Sequence, residues 1–246
     1  MKRELLVSAL VLFLCALPVV AQETEEEEKE PAWVGSLGLA WVSTSGNTDT
    51  SSAGLDFALE RKPEPWGLAF GLRGNKAQDS GATTAENFFA FGRVTRAIAK
   101  KWEAFGGLQW SKDPFAGFDS QTVANAGVTY LAVESDKHKL SFDGGFAYTW
   151  EDQINPDAKV DFAGGIFGVA WEWKLSESSK LVERLMFYPN FDTSSDWRLT
   201  SVTAIEAAIN SWLALRFGYD LRHRNEPVGD AKSTDATSTA SVVFNF

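Results

Sequence analysis

The sequence predicts an all-β fold, a transmembrane antiparallel β-barrel of about 12 strands (10–12). Three observations carry this. The 246-residue chain alternates apolar and polar side chains at period two, in segments of about ten to fourteen residues. Its 10 Trp fall near the ends of those segments. A short apolar leader precedes the alternating region.

The leader spans residues 1–21. Lys2 and Arg3 form a positive start, Leu5 to Val20 is apolar apart from Ser8 and Pro18, and Val19-Val20-Ala21 places small residues at the −3 and −1 positions of a cleavage site. This is the plan of a secretory signal peptide. The apolar run is shorter than the roughly 20 residues of a spanning helix. Phe13 and Leu14 are too bulky to make Cys15 a lipoprotein cysteine. Cleavage after Ala21 leaves 21 basic against 32 acidic side chains, a balance of −11. Residues 22–32 follow, with Glu23, Glu25-Glu26-Glu27-Glu28 and Glu30 ahead of Pro31. Such a block of like charge repels itself and reads as a disordered periplasmic tail.

Composition narrows the function classes. A net charge of −10 offers no cationic footprint for nucleic acid. With Cys15 in the leader, the mature chain carries no disulfide framework, cysteine zinc site or thiol nucleophile.

Residues 33–246 hold the barrel. Strands are expected near 33–44, 52–61, 66–75, 85–98, 102–111, 120–132, 139–150, 159–173, 180–191, 197–209, 211–224 and 235–246. Over 140–150, Leu140, Phe142, Phe146, Tyr148 and Trp150 share one face, and Ser141, Asp143, Gly145, Ala147 and Thr149 the other. Over 66–75, Trp66, Leu68, Phe70 and Leu72 oppose Gly67, Ala69, Gly71, Arg73 and Asn75. Over 211–224, Leu213, Leu215, Phe217, Tyr219 and Leu221 oppose Arg216, Asp220, Arg222 and Arg224. The segments 85–98 and 180–191 alternate too poorly to assign faces. Longer polar loops, such as 76–84, 112–119, 151–158 and 225–234, follow the odd strands, and tight turns follow the even ones.

Trp33, Trp66, Trp102, Trp171, Trp173 and Trp212 collect at the short-turn end, and Trp41, Trp110, Trp150 and Trp197 at the loop end. Indole settles at the water–lipid boundary, so two such sets read as membrane-interface girdles. Ten residues at about 3.3 Å, tilted about 40°, span roughly 25 Å, the apolar band of an outer-membrane barrel. A soluble barrel or sandwich gives Trp no reason to gather at both rims. The Leu/Phe face then meets lipid, and the Gly/Ala/Ser/charged face meets the lumen. An even strand number puts both termini on the periplasmic side. The final strand, Ser241-Val242-Val243-Phe244-Asn245-Phe246, looks like the C-terminal signal read by the barrel-assembly machinery, with Phe246 as its last residue.

Trp33-Val34-Gly35-Ser36-Leu37-Gly38 and the later Thr44-Ser45-Gly46-Asn47-Thr48-Asp49-Thr50 resemble the start of the YdiY-like salt-induced outer-membrane proteins. So do Lys112-Asp113-Pro114-Phe115-Ala116-Gly117 and Leu215-Arg216-Phe217-Gly218-Tyr219. The resemblance covers about residues 33–246. It implies a Gram-negative outer membrane and a β-barrel, a family of unknown function, and no catalytic residues to transfer. "Salt-induced" describes expression of a relative and implies no mechanism.

No catalytic site, metal site or cofactor is expected. Gly46-Asn47-Thr48-Asp49-Thr50 suits a turn. Asp113, Asp119, Asp152 and Asp157 match no Ca²⁺-loop spacing. His138 lies in a periplasmic turn, and His223 has no nucleophile beside it on its face. The lumen is the candidate site, with Asp56, Arg73, Asp143, Arg198, Arg216, Asp220, Arg222 and Arg224 as candidate selectivity residues. Glu60, Asn75, Glu103, Gln109, Asp161 and Glu206 are further inward candidates. Either these charges pair and fill the lumen, or they ring a narrow water path in which Arg216, Arg222 and Arg224 favour small anions. The expected function is a narrow passive channel or a closed structural barrel associated with envelope or salt stress. The alternative is an outer-membrane enzyme or a lipopolysaccharide- or ligand-binding barrel. The expected partners are outer-membrane lipid and lipopolysaccharide, with no nucleic acid; oligomeric state is not legible. N-terminal sequencing of the protein from an outer-membrane fraction is expected to begin at Gln22.

Overall fold

Period-two alternation places successive side chains on opposite faces of an extended chain, and the chain spends nearly all its length that way. The computed structural model describes residues 33–44 and 50–246. The leader, the acidic tail and the Ser45–Asp49 turn lie outside the described residues. The strands are β1 (Val34–Thr44), β2 (Thr50–Arg61), β3 (Trp66–Asp79), β4 (Ala82–Ala99), β5 (Trp102–Asp113), β6 (Phe118–Glu134), β7 (His138–Gln153), β8 (Ala158–Lys174), β9 (Ser179–Pro189), β10 (Trp197–Ala208), β11 (Leu213–Arg224) and β12 (Thr234–Asn245). Each pairs antiparallel with its chain neighbours, and β1 pairs with β12 to close the barrel.

The outer face carries Leu39, Leu55, Phe70, Leu72, Leu108, Phe142, Phe146, Phe167, Ile205, Leu215 and Phe217, all exposed. An apolar surface of this extent suits lipid rather than water.

Segment 76–84, expected as a loop, is mostly strand. β3 runs to Asp79, and β4 resumes at Ala82 after a two-residue turn. Ser80 and Gly81 adopt φ of 50° and 83°, which suits the mirror-image turns that match strand twist. The segment reads as loop because it is polar on both faces. Lys76 instead pairs across the strands with Glu86 at 3.2 Å. Segment 112–119 also shortens. A 3-10 turn, Pro114–Ala116, starts from Asp113, whose Oδ1 accepts from the Ala116 N–H at 3.1 Å, and ends on Gly117 at φ 93°.

The exterior loops fold onto one another. Val228, between β11 and β12, is buried, and its Cβ would stand 2.7 Å from a Cβ placed on Gly117. A Cβ on Gly229 would meet the Asn155 carbonyl oxygen. The Ile154 N–H donates to the Gly117 carbonyl at 2.9 Å. The β11–β12 connection therefore touches the loops of the facing wall, between β5 and β6 and between β7 and β8.

Two expectations about faces are corrected. Asp161 is on the outer face: it registers opposite Trp150 and accepts from the Tyr148 hydroxyl. The inner set of β8 is Phe162, Gly164 and Ile166, all buried. The lumen is also not confined to small and charged residues. Phe105, Val123, Ala147 and Ile166 form a buried cluster, with Met186 and Tyr188 against it. Phe91 stands over Gly71, and Phe105 over Gly127. Large apolar side chains therefore occupy both faces wherever glycine across the ladder leaves room.

A Cβ on Gly127 would lie 2.8 Å from the Phe105 ring and 2.8 Å from Gly145 Cα. Gly127→Val is expected to destabilise the barrel by roughly 1–3 kcal/mol through overpacking, read as a lower urea midpoint in lipid vesicles. Gly144→Ala, where a Cβ meets nothing within 4 Å, is expected to leave that midpoint unchanged.

Candidate functional site: the charged lumen

Alternation along β11 aims Arg216, Asp220, Arg222 and Arg224 inward as a column rising toward the exterior rim. Lowest, Arg73 on β3 donates through Nε to Asp56 at 2.9 Å and through Nη1 to Asp220 at 2.7 Å. Arg216 approaches Asp56 at 3.8 Å. A cavity of about 40 Å³ lies here, lined by Gly38, Gly54, Asp56, Arg73, Arg216, Gly218 and Asp220 among others. That volume suits a few waters.

On the facing wall Arg93 donates to both oxygens of Asp143, at 2.7 and 3.1 Å, and to Thr129 Oγ1 at 2.7 Å. Thr129 in turn donates to Asp143 at 2.6 Å. The Arg93 guanidinium sits 3.9 Å from the Phe105 ring centroid. This is a two-pronged, charge-assisted clamp with a cation–π floor. Above it, Arg198 donates to Thr149 Oγ1 at 2.9 Å and lies between the rings of Phe162 and Tyr188. The Tyr188 hydroxyl donates to Gln109 at 3.2 Å.

At the exterior end Arg222 on β11 donates to Asp113 on β5 at 2.9 Å. These strands stand on opposite walls of the ring. Arg224 donates to both oxygens of Glu151 on β7, at 2.9 and 2.8 Å, and faces Asp196 at 3.4 Å. Glu151 also accepts from Gln121 and, at 2.8 Å, from Gln153. Its side chain is 0% exposed. A carboxylate this deep is held ionised by a guanidinium and by neutral donors together.

The structure therefore puts Asp56, Arg73, Asp143, Arg198, Arg216, Asp220, Arg222 and Arg224 on the inner face, in three groups. Arg93, Asp113, Glu151 and Asp196 complete those groups. Arg93 lies in a segment whose faces the pattern leaves open. Asp113 and Glu151 fall in stretches that read as loops, yet each extends an inner row at period two: Gln109, Ser111, Asp113 and Ala147, Thr149, Glu151.

The acidic exterior residues do not converge on one point. Asp113 faces Arg222, Asp119 pairs with Lys112 at 2.9 Å, and Asp152 with Lys159 at 3.6 Å. His223 bonds Thr234 Oγ1 at 2.8 Å and packs on Trp197. His138 stacks on Trp171 and Trp173. Trp33, Trp41, Trp66, Trp102, Trp110, Trp150, Trp173 and Trp212 are exposed near strand ends, while Trp171 and Trp197 are partly covered. Phe246 exchanges backbone hydrogen bonds with Gly35 at 2.8 and 3.0 Å.

Residues 37–246 match the family described as "Protein of unknown function, DUF481". The chain belongs to the DUF481 family. A curated relative, the uncharacterized protein YdiY of Escherichia coli strain K12, is 24% identical over 217 residues, covering 86% of this chain and 82% of the relative. Among solved structures, an outer-membrane channel from Pseudomonas putida F1 matches with a TM-score of 0.52 at 10% identity, covering 92% of this chain and all of that one. The translocator domain of the autotransporter NalP from Neisseria meningitidis matches at a TM-score of 0.48 and 10% identity, covering 87% of each chain. This DUF481 chain thus has the fold of Gram-negative outer-membrane barrels.

Arg224→Ala would strand the Glu151 carboxylate. It is expected to cost about 3–5 kcal/mol in urea unfolding from vesicles. Lys159→Ala, at a pair whose lysine is 86% exposed, is expected to cost under about 1 kcal/mol.

Proposed function

We propose that this protein is a passive outer-membrane barrel whose lumen is shut at rest, and that its narrow path opens to small ions only when the exterior charge groups part. The observation that carries this is the pairing of opposite walls, Arg222 with Asp113 and Arg224 with Glu151, beneath the β11–β12 connection. Guanidiniums engaged by carboxylates are not free to ring a water path. The apolar cluster around Phe105 and Ile166 further supports a filled interior over an open pore.

In this reading the chain is exported by cleavage after Ala21, and its last strand is recognised by the barrel-assembly machinery through Phe246. Its Trp sets rest at the two lipid interfaces, the outer one against lipopolysaccharide. A barrel closed by ion pairs suits an envelope facing salt stress, because a standing leak would dissipate ion gradients. We read no catalysis into it: the two histidines are occupied by tryptophan faces, and His223 also by Thr234.

The test is conductance of the refolded protein in a planar lipid bilayer. Wild type is expected to give no steady steps at moderate salt, whereas the double variant Arg222→Ala/Arg224→Ala gives discrete ones. Steady conductance from folded wild type would overturn the closed reading.

A further inference from the structure

In a membrane barrel every strand edge needs a full ladder, because lipid offers no hydrogen-bond partner. The β1–β12 seam departs from this. Its ladder runs from Ser36↔Asn245 to Leu39↔Val242, extended at the periplasmic end by Gly35 and Phe246. Beyond Leu39 the two strands part. Ala40–Thr44 continue to pair with β2 on one side, and Thr234–Ser241 continue to pair with β11 on the other. Among the described residues no rung joins them.

Two cavities meet at this gap. One is the small luminal cavity that holds Arg73 and Arg216. The other, about 230 Å³, is a groove on the outer face, walled by Leu39 and Trp41 on β1 and by Leu215 and Phe217 on β11. Ala40, Arg216 and Ser241 line both. All three belong to the inner set of their strands, so they reach the outer groove through the parted seam. The groove is apolar along its length and has a guanidinium at its inner end. Arg73 is engaged by two carboxylates at 2.9 and 2.7 Å, whereas Arg216 keeps one ion pair, to Asp56 at 3.8 Å. Its donors are therefore available to a second anion at modest cost to the network.

We propose that the parted half of the β1–β12 seam is a lateral docking site for an anionic single-chain amphiphile of the outer leaflet, with its acyl chain in the groove between Trp41 and Phe217 and its head group on Arg216. Charge and shape both select this occupant. The groove volume, about eight water volumes, takes one chain segment rather than a bulky multi-chain lipid. A neutral amphiphile would leave the arginine unanswered. This goes beyond the closed-lumen reading: a conducting lumen would leave the seam site standing, and an unlabelled seam would leave the closed lumen standing.

The test uses the full-length mature protein folded into phosphatidylethanolamine/phosphatidylglycerol vesicles, with folding checked by heat-dependent gel mobility. The probes are a diazirine-bearing palmitic acid and its methyl ester, with adducts mapped by mass spectrometry. The acid is expected to label Leu39, Trp41, Leu215 and Phe217 several-fold more than the ester, and Arg216→Gln to remove that preference. In a second variant, Ala40→Cys/Ser241→Cys, oxidation closes the next rung of the seam. It is expected to abolish groove labelling, and a reductant to restore it within the same folded protein. A Leu37→Cys/Phe244→Cys pair, in the zipped half, is expected to change nothing when oxidised. The proposal is overturned if acid and ester label the groove no more than the rest of the belt. It is also overturned if the Ala40/Ser241 disulfide forms without changing the pattern, if inorganic phosphate alone displaces the acid completely, or if a second copy of the chain cross-links through the seam in place of the probe.

Discussion

The constraint on which the rest of this structure depends is the backbone hydrogen bond in hydrocarbon. A strand that faces lipid has nowhere to place its N–H and C=O groups except on another strand. From this follow the unbroken order of antiparallel neighbours, the return of β12 to β1 and the gathering of both ends at one rim. The outward display of Leu and Phe is a consequence as well, since alternation gives each strand one face for lipid and one for the interior. The seam between β1 and β12 is where this constraint is met least completely, and it joins the two strands farthest apart in the chain.

Closing twelve strands creates an interior, and its contents decide what the barrel can do. Here it holds two kinds of filling. Phe105, Val123 and Ile166 form an apolar mass on the β5–β8 wall. Arg73, Arg93, Arg222 and Arg224 bond to carboxylates on other strands and tie walls together. The two meet at Arg93, which clamps Asp143 while lying over Phe105. A buried guanidinium needs its charge answered and its donors filled, and each of these pairings draws a strand toward another that is not its neighbour. The result is a cross-braced interior. A pore of the same circumference would keep its charges apart, each facing water.

Wall and interior are coupled through Arg216. It belongs to the arginine column of β11, yet it lines the groove on the lipid side because the rung that would shield it is missing. A membrane barrel with a filled lumen is left with its wall and its loops as working surfaces. On the wall, an apolar groove beside a loosely paired cation is the place where a membrane-borne ligand finds both its solubility and its charge satisfied.

How much of this is legible in the sequence depends on the range of the interaction. Period two and turn residues are local, so the positions of the twelve strands, the outward row Leu213, Leu215, Phe217 and Tyr219, and the inward row Arg216, Asp220, Arg222 and Arg224 can be read directly. Asp161 cannot, because a carboxylate in a strand reads as inward until its register opposite Trp150 is known. Phe91 and Phe105 cannot, because their inward position depends on space left by Gly71 and Gly127 on neighbouring strands. Glu151 hides in a polar stretch whose purpose is a guanidinium on the far side of the ring. The sequence by itself determined the barrel, its strands and its two faces, because those follow from chain-local alternation and from what lipid forbids. Only the tertiary structure decided which charges meet, that the interior is closed, and that the β1–β12 seam is parted. Those outcomes depend on register and curvature around the whole ring, which no single strand encodes.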